Sequence, residues 1–215
     1  ERLVFLWEKV PSLPEPVGPR VQAQRIVYQE WQKQRDLFDD VAAYQVAQRN
    51  EAGVARPQTL TAGFASANFL PLLGVRAAAG RLFRVDEEQK GMDRVVVLSD
   101  RYFERRFQRD PGTIGKSITL GRQDYTVIGV LPPRFRVPAL YQGIDQKTLD
   151  VWIPLSQMWN RAEDDTAFTL FVIAQRNAKA PLDQVRASLT ALQERLSKSD
   201  KERYPIDQVS VFPAA

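Results

Sequence analysis

The chain contains no cysteine and no histidine among its 215 residues. Without cysteine there is no disulfide framework and no thiolate chemistry, an absence that fits either a reducing or an oxidising compartment. Without histidine, the commonest general base and the commonest metal ligand are both missing. Ser–His–Asp and Cys–His arrangements are therefore excluded. No apolar run approaches the roughly 18–20 residues that span a bilayer. The longest comparable stretch, Phe168–Ala174, has the length of a strand. Glu1 opens directly into strand-like sequence, which reads as a chain without a signal peptide. A large excess of one charge is absent too: 30 basic and 26 acidic residues leave a formal +4. That mild excess suits an anionic membrane surface or a weak encounter with an acidic partner, and it does not demand nucleic acid.

What is present is the composition of a globular protein, with 44% hydrophobic and 10% aromatic residues. Local signals are densest from Arg94 to Phe135. Val95, Val96, Val97 and Leu98 form a β-branched run, and Ser99 stands where a helix N-cap would stand. Tyr102, Phe103 and Phe107 recur at helical spacing, while Arg101, Arg105, Arg106 and Arg109 mostly face elsewhere. Asp110-Pro111-Gly112 is expected to stop this helix. A hairpin follows, Lys116–Leu120 and Tyr125–Val130, joined across Gly121-Arg122-Gln123-Asp124. Pro132 and Pro133 close the unit.

Elsewhere, Arg2–Trp7 reads as a strand, followed by a proline-rich connection with Pro11, Pro14, Pro16 and Pro19. Val21–Arg35 carries a helical stripe of Ile26, Val27 and Trp31, with Phe38 one turn past a break. Trp31 reads as a core anchor before it reads as a ligand-binding aromatic. Val41–Gln48 and Gln58–Phe64 look like strands around a polar turn, Asn50-Glu51-Ala52-Gly53. Ser66 is a candidate cap for a short helix bearing Phe69, Leu72 and Leu73, ended by Gly74. Asp86, Glu87 and Glu88 read as a solvated loop, as do Glu163, Asp164 and Asp165. Asp150–Leu155 and Phe168–Gln175 are strand candidates. Pro181 opens an amphipathic helix carrying Leu182, Val185, Leu189, Leu192 and Leu196, and Val209–Phe212 finishes as a strand.

No catalytic, cofactor-binding or metal-binding residue emerges. Gly112-Thr113-Ile114-Gly115-Lys116-Ser117 ends like a phosphate-binding loop. That motif needs glycine where Asp110 stands, and a helix where Ile118 and Leu120 predict a strand. The neighbours Lys116-Ser117 and Ser197-Lys198 point apart and are poorly placed as catalytic dyads. Arg101, Arg105 and Arg109 read as a solvated helix face balanced by Glu104 and Asp110, in preference to a nucleic-acid stripe. A facing pair of carboxylates remains open, since sequence spacing does not exclude one.

The order VVVLSDRYFERRF, DPGTIGKSITLG, YTVIGVLPPRFRVP and DVWIPL, preceded by SANFLPLLGVRAAAGRLF, resembles the periplasmic core domain of MacB-like, FtsX-like ABC-transporter permeases. The resemblance is strong over Ser66–Leu155 and weaker on the flanks, and the opening ERLVFLWE is similar to large acidobacterial-type permeases. Strands and one long helix on each flank, around a β-rich middle, already suggest an interrupted α+β fold. The resemblance implies the same two-lobed layout: a membrane-proximal Porter-like α/β lobe from residues 1–65 and 166–215, and an inserted β-rich Sabre-like lobe from 66–165. It further implies a non-enzymatic, periplasmic part of an inner-membrane permease that couples ATP-driven helix motion to efflux or extraction. Its implied partners are the transmembrane helices of the same permease, an ABC ATPase that hydrolyses ATP elsewhere, a second copy, and a periplasmic adaptor or cargo protein. The alternative is a free-standing periplasmic ligand-binding module or a carboxylate-based hydrolase.

Overall fold

The computed structural model describes residues 2–10, 20–53, 57–137, 149–159 and 169–214. Strand β1 (Leu3–Lys9) is followed by short strands β2 (Arg20–Val21) and β3 (Ala23–Gln24) and by helix α1 (Arg25–Gln32). Strands β4 (Phe38–Ala52) and β5 (Gln58–Ala65) lead to the one-turn helix α2 (Phe69–Leu72) and strand β6 (Ala79–Gly80). A 3₁₀ turn, Val85–Glu88, precedes strand β7 (Val95–Leu98) and helix α3 (Asp100–Phe107). A second, Pro111–Thr113, precedes the hairpin β8 (Ser117–Leu120) and β9 (Gln123–Val130). Strand β10 (Leu149–Pro154), helix α4 (Ser156–Trp159), strand β11 (Thr169–Arg176), helix α5 (Leu182–Ser199) and strand β12 (Gln208–Pro213) come last. This is a mixed α+β chain in two compact units, Glu1–Ala43 with Ala162–Ala215, and Tyr44–Arg161.

In the first unit the strands run β12-β1-β11, antiparallel throughout, with β2 on β1 and β3 on β11. Leu170–Ala174 of β11 is a continuous apolar run because every residue of it is buried. Helix α1 packs on β11 with Ile26, Val27, Tyr28 and Trp31 buried, and α5 packs on β12 with Val185, Leu189 and Leu192 buried. β1 and β12 pair from Val4↔Pro213 to Lys9↔Gln208, and the Ala214 N–H donates to the Leu3 carbonyl at 2.8 Å. The first and last described residues therefore lie side by side at one end of this ladder.

The second unit closes on itself. β4 pairs antiparallel with β5, β5 parallel with β10, β10 antiparallel with β7, and β7 parallel with β9. β9 pairs with β8, and β8 returns to β4 at Glu51↔Leu120, so hydrogen bonding runs round a ring of six strands. Closure removes the free edges that would otherwise template association. Tyr44, Phe69 and Trp152 pack together, with the Phe69 and Trp152 rings stacked at 5.6 Å. Trp152 fits because Gly63 has no side chain; a Cβ there would stand 2.6 Å from the indole. Gly80 and Gly129 face each other for a similar reason, a Cβ at Gly80 meeting the Ile128 carbonyl oxygen at 2.2 Å.

Several expectations are corrected. The helix expected over Val21–Arg35 is eight residues, because Val21 pairs with Glu8 and Ala23 with Leu170, and Phe38 lies on β4. Asn50–Ala52 are strand, not turn, since β4 must reach both β5 and β8. The Ser66 side chain does not cap α2; it donates to Asn68 Oδ1, while the Ser66 carbonyl accepts the Phe69 N–H. Helix α3 ends before Asp110, where Gln108 (φ 50°) and Arg109 (φ 62°) turn left-handed. The β8–β9 hairpin turns on Gly121-Arg122 alone, Gly121 supplying the positive φ that such two-residue turns need. Ser99 caps α3 as expected, accepting the Tyr102 N–H at 3.1 Å. The proline-rich connection at 11–19, the acidic loop at 163–165 and Phe168 lie outside the described residues.

Candidate functional site

The loop between β6 and β7 turns three of its four carboxylates, Glu87, Glu88 and Asp93, inward. Glu87 accepts two hydrogen bonds from the Arg81 guanidinium, at 2.6 and 2.8 Å, and a third from the Arg84 N–H at 2.9 Å. Burial pushes its carboxyl up, but Arg81 and the Arg84 N–H more than offset this, so it lies below the usual range. Glu88 accepts the Ala67 N–H, and burial raises its carboxyl. Asp93, 1% exposed, accepts from the Gly91 N–H and the Ser156 hydroxyl, both at 3.1 Å. The expectation of a solvated acidic loop thus fails for Glu87 and Glu88, which are structural anchors. Among the residues the loop shows to solvent are Val85, 78% exposed, and Met92, 50% exposed.

Helix α3 is latched to the ring by two arginines. Arg105 donates to Asp150 Oδ1 at 3.0 Å, and Asp150 Oδ2 accepts the Thr61 N–H at 3.1 Å. Asp150 reaches both because it is the extra residue of a bulge between Leu149↔Thr61 and Val151↔Ala62. Arg106 donates to Glu51 at 2.9 Å, and Gln58 donates to the same carboxylate at 2.7 Å. Glu51 is 1% exposed and sits at the seam where β8 meets β4. Sequence reasoning missed this pair, since the two residues are 55 positions apart and Glu51 stood in a stretch that resembled a turn.

The arginine stripe is accordingly not a plain solvated face. The left-handed turn brings Arg109 back over Asp100, at 2.5 and 2.8 Å, with Glu104 at 3.3 Å. Asp110 pairs instead with Lys116 at 2.8 Å and accepts the Gly112 N–H, and Lys116 holds its carboxyl below the usual range. That carboxylate occupies the ammonium and the amide that a phosphate would need, and Ser117 begins a strand. Of the two serine–lysine neighbours, Ser197 is buried and Lys198 exposed.

Each unit carries a concavity. A hollow of about 110 Å³ lies between α3 and the segment after β9, lined by Asp100, Glu104, Pro133, Phe135 and Trp152 among others. Its two carboxylates lie on one helix and share the Arg109 guanidinium, so they are not the facing pair that glycoside hydrolysis needs. In the first unit a groove of about 810 Å³ is lined by Lys9, Glu194, Lys198, Lys201 and Asp207 among others. Among the described residues no three acidic side chains lie together as a metal site would require.

Glu8 is fully buried in the first unit. It accepts the Gln24 N–H at 2.7 Å and the Gln193 side-chain amide at 3.0 Å, and that amide also donates to the Ile206 carbonyl at 2.9 Å. Burial pushes the Glu8 carboxyl up to about 7, the two hydrogen bonds offsetting only part of the rise. One carboxyl thereby ties β1, β3 and α5 together.

Paired β1 and β12 bring the first and last described residues together in the first unit, and a closed ring of strands with anchored loops makes up the second. The model of the MacB-like periplasmic core domain matches residues 8–192, and the chain belongs to this family. It is the periplasmic domain of a MacB-type ABC-transporter permease of the inner membrane. The macrolide export ATP-binding/permease protein MacB of Chromobacterium violaceum is 27% identical over 142 residues, 66% of this chain and 21% of that protein. The chain thus spans about a fifth of that relative's length. The periplasmic region of MacB from Actinobacillus actinomycetemcomitans superposes with a TM-score of 0.72 at 14% identity, over 99% of this chain and 89% of that one. The extracellular domain of the ABC-type transporter YknZ from Gram-positive bacteria gives 0.64 at 15% identity, over 98% and 100%. At such identities these likenesses show the fold alone. Among the described residues no helix is long and apolar enough to cross a membrane.

Proposed function

We propose that this domain couples ATP-driven movement of the permease's transmembrane helices to export or extraction work in the periplasm. The observation that carries this reading is the β1–β12 ladder, which holds both chain ends together and delivers them to one side. In this reading the unit Glu1–Ala43 with Ala162–Ala215 is the membrane-proximal Porter-type lobe, narrower than the 1–65 and 166–215 expected from the sequence. The unit Tyr44–Arg161, which takes in β5, is the inserted Sabre-type lobe in place of 66–165. ATP is hydrolysed by a separate nucleotide-binding subunit or domain, two copies work as a pair, and an adaptor or cargo protein is met in the periplasm. The test is to replace residues 3–214 of the complete transporter with a short Gly-Ser linker, which suffices because Val4 and Pro213 are paired. ATP hydrolysis is expected to persist while export is lost. Export that survives the replacement, or hydrolysis that disappears with it while the transporter still assembles, overturns the reading.

A further inference from the structure

Val85 and Met92 are two of the three large hydrophobic side chains exposed among the described residues, and both lie on the loop between β6 and β7. The loop inverts the usual polarity of a surface segment: Glu87 and Asp93 are buried while Val85 and Met92 face solvent. Its shape is fixed at four points by Arg81–Glu87, Glu87–Arg84 N–H, Glu88–Ala67 N–H and Asp93–Ser156. Ordering it on binding therefore costs little, the condition that favours specific protein docking. The same inward turn of Glu87, Glu88 and Asp93 leaves Arg84, Lys90 and Arg94 exposed on the segment that carries the two apolar side chains, with Asp86 the one part-exposed acid not tied into the anchors.

We propose that this loop is a docking knob for a protein partner that presents an apolar groove rimmed by carboxylates. The proposal rests on the export reading above and adds to it the surface and the chemistry of the partner. Charge complementarity selects the rim, because three exposed cations would repel a second copy of the same loop and attract Asp and Glu. Methionine suits the apolar contact, since its unbranched thioether adapts to irregular grooves. A bilayer is a poorer occupant. One valine and one methionine bury too little apolar surface to hold a protein on lipid. The loop also belongs to the unit that does not carry the chain ends.

The test uses the complete permease in its own host, with a photo-crosslinking amino acid placed in turn at Val85, Met92 and Arg122, the last an exposed hairpin residue of the same unit. Positions 85 and 92 are expected to give one discrete protein adduct and position 122 none. The double reversal Lys90→Glu with Arg94→Glu is expected to lower its yield about tenfold, while Arg122→Glu leaves it unchanged. Arg84 is kept because its positive charge helps hold the Glu87 carboxyl down. A melting curve of the domain, expected to be unchanged in each variant, separates loss of docking from loss of fold. Where folding suffers, Val85→Ser with Met92→Ser replaces the charge reversal, with the same loss expected. Absence of an adduct, an equal adduct from position 122, insensitivity to both double variants, a lipid adduct or an adduct with a second copy would each overturn the proposal. Loss of export on replacing residues 3–214 is read separately, so a failure of the export reading is told apart from a failure of this docking surface.

Discussion

Replacing Glu8 by glutamine should remove a pH dependence built into the first unit. The carboxyl is raised from 4.5 to about 7 in the folded protein, chiefly by burial. Between those values the folded state holds a proton that the unfolded chain has released, so stability falls as pH rises. At about 1.4 kcal/mol per tenfold change, the rise amounts to about 3 kcal/mol, fully present below pH 4.5 and lost as pH passes 7. Above that, the fold must hold a carboxylate with the Gln24 N–H and the Gln193 amide as its hydrogen-bond donors. Glu88, also raised by burial, contributes with the same sign, whereas Glu87 and Asp110, both lowered, contribute with the opposite sign at more acidic pH. The difference between wild type and Glu8→Gln cancels these. Native-state hydrogen exchange in increasing urea, read on β1 and α5 amides, gives the local free energy at pH 5, 6, 7 and 8. The stability of the wild type relative to Glu8→Gln should fall by about 2–3 kcal/mol across that range. A difference constant to within about 0.5 kcal/mol would refute the reasoning, because Glu8 would then not titrate in this window.

Arg106→Ala should cost about 1–3 kcal/mol in urea unfolding, discounted because the guanidinium is 36% exposed and Gln58 still serves Glu51. Adding Glu51→Gln should recover most of that loss, since the penalty is a buried unpaired charge. Gly80→Ala should cost about 2 kcal/mol or more in a thermal melt, because φ is +67° and the new Cβ meets the Ile128 carbonyl oxygen at 2.2 Å. Gly74→Ala, at φ +73° but in open space, should cost only about 1 kcal/mol. Equal costs would mean that the close approach contributes nothing.

The elements legible in the sequence are those whose evidence is local. β11 announces itself by an apolar run, α5 by five apolar residues on one face after Pro181, and α3 by Ser99 ahead of Tyr102 and Phe103. Elements defined by distant pairing were not legible. Val21 and Ala23 sit in a helical pattern, yet Glu8 and Leu170 draw them into strands. Closure of the ring depends on Glu51 meeting Leu120, a contact with no local signature. Site chemistry divided the same way. The missing histidine removed triads at once, and Asp110 spoiled the phosphate loop, both readable residue by residue. Which of three neighbouring acids would turn inward was not readable, because Glu87 is chosen by Arg81 across a bend and Asp86 is not.

Whether the β1–β12 ladder stays closed at work can be decided at Phe5 and Phe212, which face each other one pair in from the Val4↔Pro213 end. If the flanking membrane helices slide along the strand axis, the ladder is loaded in shear and its hydrogen bonds share the force. If they separate sideways, the ladder unzips from Val4 and Pro213 one bond at a time. Directly opposed antiparallel residues lie about 4.5–5.5 Å apart at Cα, within the range a disulfide spans. The 215 residues of this domain hold no other cysteine, and any elsewhere in the transporter is replaced by serine first. Phe5→Cys with Phe212→Cys in the complete transporter should therefore form a bridge that blocks unzipping and leaves axial transmission intact. Export equal in the oxidised and reduced forms is the expected result, and it fits a lobe that moves as a rigid piece. Export lost on oxidation and restored by a reductant would refute that, and would make opening of the ladder the working stroke.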